Sequence, residues 1–294
     1  MSQLMMNPGR VSPETQFPGT GEFVYTQKDF EVVSALIHAH AGIVMPREKA
    51  MLIFSRFTKL LRARGMRSFS DYVELIRHDA AERKIAIESL TTNHTAFFRE
   101  VHHFHHFEEH VREKLIARLA AKQRVRLWSS AASTGEEVYS LALTLLGTNN
   151  QVARQILSGD LAILATDLAQ HCIDAGIRGQ YPVATLKDIP GPLASLWTTT
   201  SGSSFTIDKR IRDLVRFRRL NLLDPWPIKQ QFDVIFCRNV MIYFDEPTKE
   251  TLLHRLTDHL ARDGILYIGH SERVPPSVAD RLAPVGQTTF RKIG

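Results

Sequence analysis

Residues 231–244 read QFDVIFCRNVMIYF. The first part, Phe232-Asp233-Val234-Ile235-Phe236, is short, β-branched and aromatic, the composition of a strand covered on both faces in a parallel sheet. Cys237-Arg238-Asn239 follows without a break before an apolar run resumes at Val240. A buried strand that ends in a cation and an amide places polar groups at the carboxyl edge of its sheet. Open α/β sheets bind ligands at that edge.

Strands and helices alternate around this segment. Val125-Arg126-Leu127-Trp128, Leu161–Ala165 and Gly264–Gly269 read as strands, and Glu136–Leu146, Leu168–Ala175 and Glu246–Ala261 as helices. The alternation predicts an α/β domain with a doubly wound, mostly parallel sheet over residues 121–294, closed by a last strand at Gln287–Lys292 that is a candidate for antiparallel pairing. Residues 177–219 break the pattern with Gly179, Pro182, Pro190, Gly191, Pro192 and Gly202. Their two alternating stretches, Phe205–Asp208 and Val215–Arg218, predict a small inserted antiparallel β subdomain.

Toward the N-terminus the period becomes helical. Thr26 with Asp29 is a cap before a helix to about Ala41, and Gly42 is its stop. Pro46–Arg64, Ser68–Arg77, Ala81–Leu90 and Glu100–Ala121 read as further helices, giving an all-helical domain and linker over residues 25–120. Residues 1–24, rich in Pro, Gly, Ser and Thr, read as a flexible tail. On the second helix Ile53, Phe57, Leu60 and Leu61 share one side, with Lys49, Arg56 and Arg67 aligned beside them and Lys59 and Arg64 close by.

The chain has 294 residues, 44% hydrophobic and 23% charged, an ordinary globular composition. No run approaches the ~20 apolar residues of a membrane span, and the first residues lack a signal-peptide core, so a cytoplasmic protein with no direct membrane insertion is expected. Two cysteines far apart exclude a disulfide scaffold. The net charge of +6 favours an anionic partner.

Three segments carry chemistry. The turn Ser129-Ser130-Ala131-Ala132-Ser133-Thr134-Gly135-Glu136-Glu137 is small enough for a ligand to approach the backbone. It lacks the glycine pattern of dinucleotide sites and the G-K-[ST] of a P-loop, and its two carboxylates repel phosphate. It suits a ligand with hydroxyls and positive charge, such as S-adenosylmethionine; the plainer reading is a tight turn with acidic caps. Asp167 ends a strand where a carboxylate accepts from ribose hydroxyls, or else caps the next helix. The linker TTNHTAFFRE, residues 91–100, is dense in hydrogen-bonding groups and is either a site wall or a hinge. His102, His103, His105, His106 and His110 cluster, with His102 and His106 at i and i+4, but no H-E-x-x-H accompanies them and no metal is expected.

Together TTNHTAFFRE, SSAASTGEEVYSLAL, ILATDLA, RLNLLDP, QFDVIFCRNVMIYFD and Gly269-His270-Ser271-Glu272 resemble, in matching order, the bacterial chemoreceptor glutamate methyltransferases, the CheR family. The resemblance runs from about Thr26 to the C-terminus. It implies a sheet of the S-adenosylmethionine-dependent methyltransferase type, and transfer of a methyl group from S-adenosyl-L-methionine to receptor glutamates, leaving S-adenosyl-L-homocysteine. By position it implies cofactor contacts from Asn93, Thr95, Arg99, Glu136 or Glu137, Asp167, Asn221, Leu222, Arg238 and Asn239. It also turns the basic stripe, Lys49, Arg56, Lys59, Arg64 and Arg67, toward the acidic cytoplasmic helices of chemoreceptors. Arg99, Arg238 and Tyr243 are candidates to orient the incoming carboxylate. The segment Trp197–Ser204 is shorter than the loop in members that grip a receptor's C-terminal peptide, which argues against tethering here. Two other readings compete: a nucleic-acid methyltransferase, suggested by the basic charge but lacking an N/D-P-P-Y/F motif, and a non-catalytic cofactor-sensing module.

Overall fold

A computed structural model describes Phe17, Gly21 and residues 23–293. The rest of the expected tail lies outside the described residues. Its inner end is not tail-like: Phe23 is buried and the Phe17 ring stacks on Tyr25 at 4.9 Å. The chain divides into two compact units, up to Thr91 and from Thr92.

The first unit is helical. Helix α1 (Gln27–Ala41) opens on a capping box between Thr26 and Asp29 and ends at Gly42, whose φ of 69° needs no Cβ. The Pro46 start produces a 3-10 turn, Arg47–Lys49, ahead of α2 (Ala50–Ala63). Helices α3 (Phe69–His78) and α4 (Ala80–Leu90) are capped by Ser68 and Asp79. Phe57, Phe69, Tyr72 and Tyr25 form an aromatic core. The buried face of α2 is Ile53, Phe57, Thr58 and Leu61, with Leu60 only partly covered.

The second unit starts at Thr92, ahead of the start expected at residue 121. One continuous run, α5 (His102–His106), a π-helical stretch Phe107–Arg112 and α6 (Glu113–Ala120), buries Phe104, Phe107, Val111, Leu115 and Leu119 in the core of the sheet. The helical period alone cannot say which core a helix faces, so the boundary moved.

The remaining elements are β1 (Val125–Ser129), α7 (Glu136–Leu146), α8 (Asn150–Ser158), β2 (Leu161–Asp167), α9 (Gln170–Arg178), β3 (Gln180–Pro182), α10 (Gly191–Trp197), β4 (Thr198–Ser201), β5 (Ser204–Ile207), α11 (Lys209–Leu214), β6 (Val215–Arg219), β7 (Phe232–Cys237), α12 (Glu246–His259), β8 (Leu260–Ile268), α13 (Pro276–Ala279), β9 (Leu282–Gly286) and β10 (Thr289–Lys292). The main sheet runs β6-β2-β1-β7-β8-β10-β9. Its first five strands are parallel and β10 pairs antiparallel with β8 and β9. The chain winds outward from β1 through β2 to β6, then returns to β7 on the other side. The topological switch point therefore lies between β1 and β7, beside Arg238.

The inserted sheet, β3-β5-β4, is antiparallel and smaller than expected. Val215–Arg218 belongs instead to β6, in parallel register with β2. Val215 and Phe217 are buried while Arg216 and Arg218 are exposed. An edge strand covered on one face alternates just as an antiparallel one does, which is why the pattern misplaced it.

Candidate functional site

The carboxyl ends of β1, β2 and β7 meet at the switch point. After β1 the chain turns through Ser133 at φ 48° and Gly135 at φ 103°. A Cβ on Gly135 would stand 2.9 Å from the Tyr181 hydroxyl and 3.2 Å from the Gly176 Cα, so only glycine fits. The turn is pinned to its neighbours: Ser130 N–H donates to Phe236 O at 2.8 Å and Ala132 N–H to Thr166 O at 2.9 Å.

Asp167, 8% exposed, locks two turns together. Its Oδ2 accepts from Ser133 N–H at 2.8 Å and its Oδ1 from Ala169 N–H at 2.9 Å. Helix α9 starts at Gln170 with Ala169 as its cap residue, so Asp167 is not that cap. Burial pushes the Asp167 carboxyl up while the two backbone donors pull it down.

Glu136 and Glu137 are neighbours with different environments. Glu137 turns inward, accepting from the Ser129 hydroxyl at 2.7 Å and from Arg238 Nη1 at 3.1 Å, and burial pushes its carboxyl up. Glu136 accepts from Thr134 Oγ1 through Oε2. Neither side chain caps α7, whose N-cap is Gly135.

Arg238 is 4% exposed. Besides Glu137 it donates through Nη2 to Arg99 O at 2.6 Å, and Nη2 lies 3.4 Å from Glu100 Oε2. With both terminal nitrogens turned inward it braces the site, and the expected role of meeting an incoming carboxylate does not suit it. Asn239, at φ 58°, donates to Glu100 Oε1 at 3.0 Å. Glu272 braces the same turn, accepting from Met241 N–H at 2.8 Å and Gly269 N–H at 2.6 Å. Cys237 is unpaired and buried, and burial pushes its thiol up, away from nucleophilic use.

The linker joins these walls. Asn93 O accepts from Ser133 Oγ at 2.9 Å, and Asn93 Nδ2 lies 3.2 Å from His171 Nε2. Phe98 N–H donates to Ser140 Oγ at 2.9 Å, Arg99 Nη1 donates to His94 O at 3.1 Å, and both Arg99 and Thr95 are half-buried. At the end of β6, Leu220 N–H donates to Asp167 O at 2.9 Å, which carries Asn221 and the buried Leu222 to the same edge. Tyr243 lies half-buried in the 3-10 turn Met241–Tyr243.

Glu100, Glu272 and His270 were not among the expected site residues, although each stands inside a motif already singled out. Glu100, His102 and His103 bring three ligand atoms within 4.8 Å of one another. The Arg238 guanidinium beside Glu100 would repel a further cation there. A cavity of about 710 Å³, lined by Lys114, Asp233, Arg262 and Arg291 among others, opens at the opposite ends of the strands.

In the helical unit the expected stripe is divided. Arg56 and Lys59 are exposed on α2, Lys49 precedes the helix half-buried, and Arg67 lies beyond its end. Arg64 is committed to Glu82 at 2.7 Å, a carboxylate that also accepts from the Tyr72 hydroxyl at 2.7 Å, and so leaves the docking set.

Residues 93–291 match the CheR methyltransferase, SAM binding domain, and residues 28–91 its all-alpha domain. A probable chemotaxis protein methyltransferase of Rhizobium etli is 40% identical over 262 residues, covering 87% of this chain and 96% of the relative. Chemotaxis protein methyltransferase 2 of Pseudomonas aeruginosa is 37% identical over 92% of this chain and 95% of its own length. The Escherichia coli chemotaxis protein methyltransferase is 34% identical over 92% and 93%. With a doubly wound sheet, a switch point edged by carboxylates and a helical unit ahead of it, the chain belongs to the CheR methyltransferase family and binds S-adenosylmethionine as its cofactor.

Proposed function

We propose that this protein is a cytoplasmic protein-glutamate O-methyltransferase that converts chemoreceptor glutamates to methyl esters. The observation that carries the reading is the carboxylate-edged switch point, where Asp167 and Glu136 face a ligand that brings hydroxyls and positive charge. Asp167 is placed for the ribose hydroxyls. Glu136 rather than Glu137 takes the cationic amine, because the charge of Glu137 is already met by the Arg238 guanidinium at 3.1 Å. Asn93, Thr95, Arg99, Asn221, Leu222 and Asn239 complete the cofactor's surroundings, with Arg238 holding them in place. The relatives' names, chemotaxis protein methyltransferases, supply the substrate class.

The cofactor supplies a methyl group on a sulfonium. A glutamate with a reference pKa of ~4.3 meets it already ionised, so no general base is needed. With the cofactor bound, the acceptor oxygen would form the new O–CH3 bond while the S–CH3 bond breaks and its electron pair goes to sulfur. Arg99 and Tyr243 orient the acceptor carboxylate, an alignment worth up to ~7–11 kcal/mol in favourable geometry. Arg56 and Lys59, with Lys49 and Arg67, draw in the acidic receptor helices. None of the helices among the described residues is long and apolar enough to cross a membrane.

The test is incubation of the purified protein with labelled S-adenosylmethionine and receptor-bearing membranes. Base-labile label on the receptor is expected. Label on nucleic acid, or tight cofactor binding without any transfer, would overturn the reading.

A further inference from the structure

The cavity at the end of the sheet away from the cofactor edge takes no part in the reaction proposed above. It lies between the helical run that ends in α6 and the antiparallel side of the sheet. Its floor is apolar, with Val111 and Leu115 from the helical run, Ile265 from β8 and Val285 from β9. Arg291 on β10 stands directly opposite Ile265 in the antiparallel register, so the two side chains share one face of the sheet. Arg262 comes from a tight turn in β8, where Asp263 holds φ 60° and a Cβ on Gly264 would stand 2.8 Å from Ala261 O. Lys114 comes from α6.

The charges around this recess do not cancel. Four cations, Lys114, Arg118, Arg262 and Arg291, line it against two carboxylates, Asp233 and Asp263. Asp233 is spent inside the fold, on Arg118 and on Arg126 N–H at 2.8 Å. Among the described residues no carboxylate forms an ion pair with Lys114, Arg262 or Arg291. Exposed cations scattered on a convex surface are ordinary. These three instead ring an apolar recess of about 710 Å³, and small-molecule sites of about 300–1,000 Å³ combine an apolar lining with a few placed polar groups. Two imidazoles stand in the same wall. The rings of His106 and His110 are 4.9 Å apart, and His106 Nδ1 lies 2.9 Å from the Tyr267 hydroxyl, which fixes that ring in place. Flat rings of this kind accept a stacked base.

We propose that this cavity binds a nucleotide carrying two or more phosphates, its base against the imidazoles and the apolar floor and its phosphates on Lys114, Arg262 and Arg291. Guanidinium groups match phosphate oxygens with paired donors, and the lysine adds a point charge. The probe is guanosine diphosphate, titrated into the full chain by calorimetry. Saturating S-adenosylhomocysteine is present throughout, so that the nucleotide cannot enter the cofactor site. One-to-one binding is expected, at least about tenfold tighter than that of inorganic pyrophosphate and weakening as salt rises. Arg262→Ala with Arg291→Ala should weaken the nucleotide at least about tenfold and leave the affinity for S-adenosylhomocysteine unchanged. Lys114→Glu, an exchange at an exposed helix position, supplies the reading should the double variant fail to fold. Absence of saturable nucleotide binding, or binding that these variants leave intact, would overturn the proposal. Pyrophosphate binding as tightly as the nucleotide would also overturn it, because the floor and the imidazoles would then contribute nothing. So would a hexaglutamate peptide that binds more tightly than the nucleotide, which would make the recess a groove for acidic protein segments.

Discussion

Arg238 and Arg56 use the same side chain in opposite ways. Arg238, at the switch point of the sheet, is 4% exposed, lies over the rings of Phe104 and Phe236 at 5.8 and 5.9 Å, and is held by Glu137, Glu100 and the carbonyl of Arg99. Arg56, on α2 of the helical unit, is exposed, with a 3.3 Å bond to Ser89 O. A buried charge needs fixed partners, because desolvation is repaid only through them. An exposed charge is solvated already and its field is screened beyond ~8–10 Å at ordinary ionic strength. The first arrangement suits a site that must keep one geometry, the second a surface that meets a partner and lets it go. Arg64 stands between them, a quarter exposed and tied to Glu82.

Truncating these arginines in turn tests that ordering. Arg238→Ala leaves Glu137 buried without its cation, and a loss of about 3–5 kcal/mol in denaturant unfolding is expected, with cofactor binding lost. A variant that stays within about 0.5 kcal/mol of the parent would mean that the buried pair is not needed for stability. Arg64→Ala should cost about 1–3 kcal/mol, because the largely buried Glu82 loses its cation and keeps only the Tyr72 hydroxyl, while cofactor affinity is unchanged in calorimetry. Arg56→Ala with Lys59→Ala should leave stability within about 0.5 kcal/mol. Its effect belongs to receptor methylation, which falls several-fold at low salt and converges on the parent as salt rises. A loss that persisted at high salt would separate these residues from an electrostatic docking role.

Acid sharpens the same comparison from the carboxylate side. The Glu100 carboxyl is lowered from 4.5 to about 2 in the folded chain. A lowered carboxyl contributes stability that is complete above the unfolded value and lost as the pH falls through the folded one. The window is therefore from about 4.5 down to about 2. Melting temperatures of the parent and Glu100→Gln should converge across it, and a constant gap would contradict the ionised network.

The strand Phe232–Cys237, the acidic turn and Asp167 were legible because each rests on local chemistry. A doubly covered strand is continuously apolar, a ligand-approaching turn is small, and a strand-end carboxylate stands at a sheet edge. β6 was misread because alternation reports one covered face and not the direction of the pairing partner. The run from His102 to Ala120 was assigned to the wrong unit because a helical period does not name the core it serves. The choice between Glu136 and Glu137 was equally closed to inspection, since both open the same helix.

Residue order and period sufficed for the fold class, the family and the edge of the sheet that holds the site. Packing across the chain settled which charges are spent inside the molecule. Arg238 meets Glu137 across 101 positions and Asn239 meets Glu100 across 139. Local pattern reads neighbours along the chain, whereas burial and ion pairing depend on neighbours in space. The physical character of Arg238, a cation built into a wall rather than offered to a substrate, therefore became visible only in the folded protein.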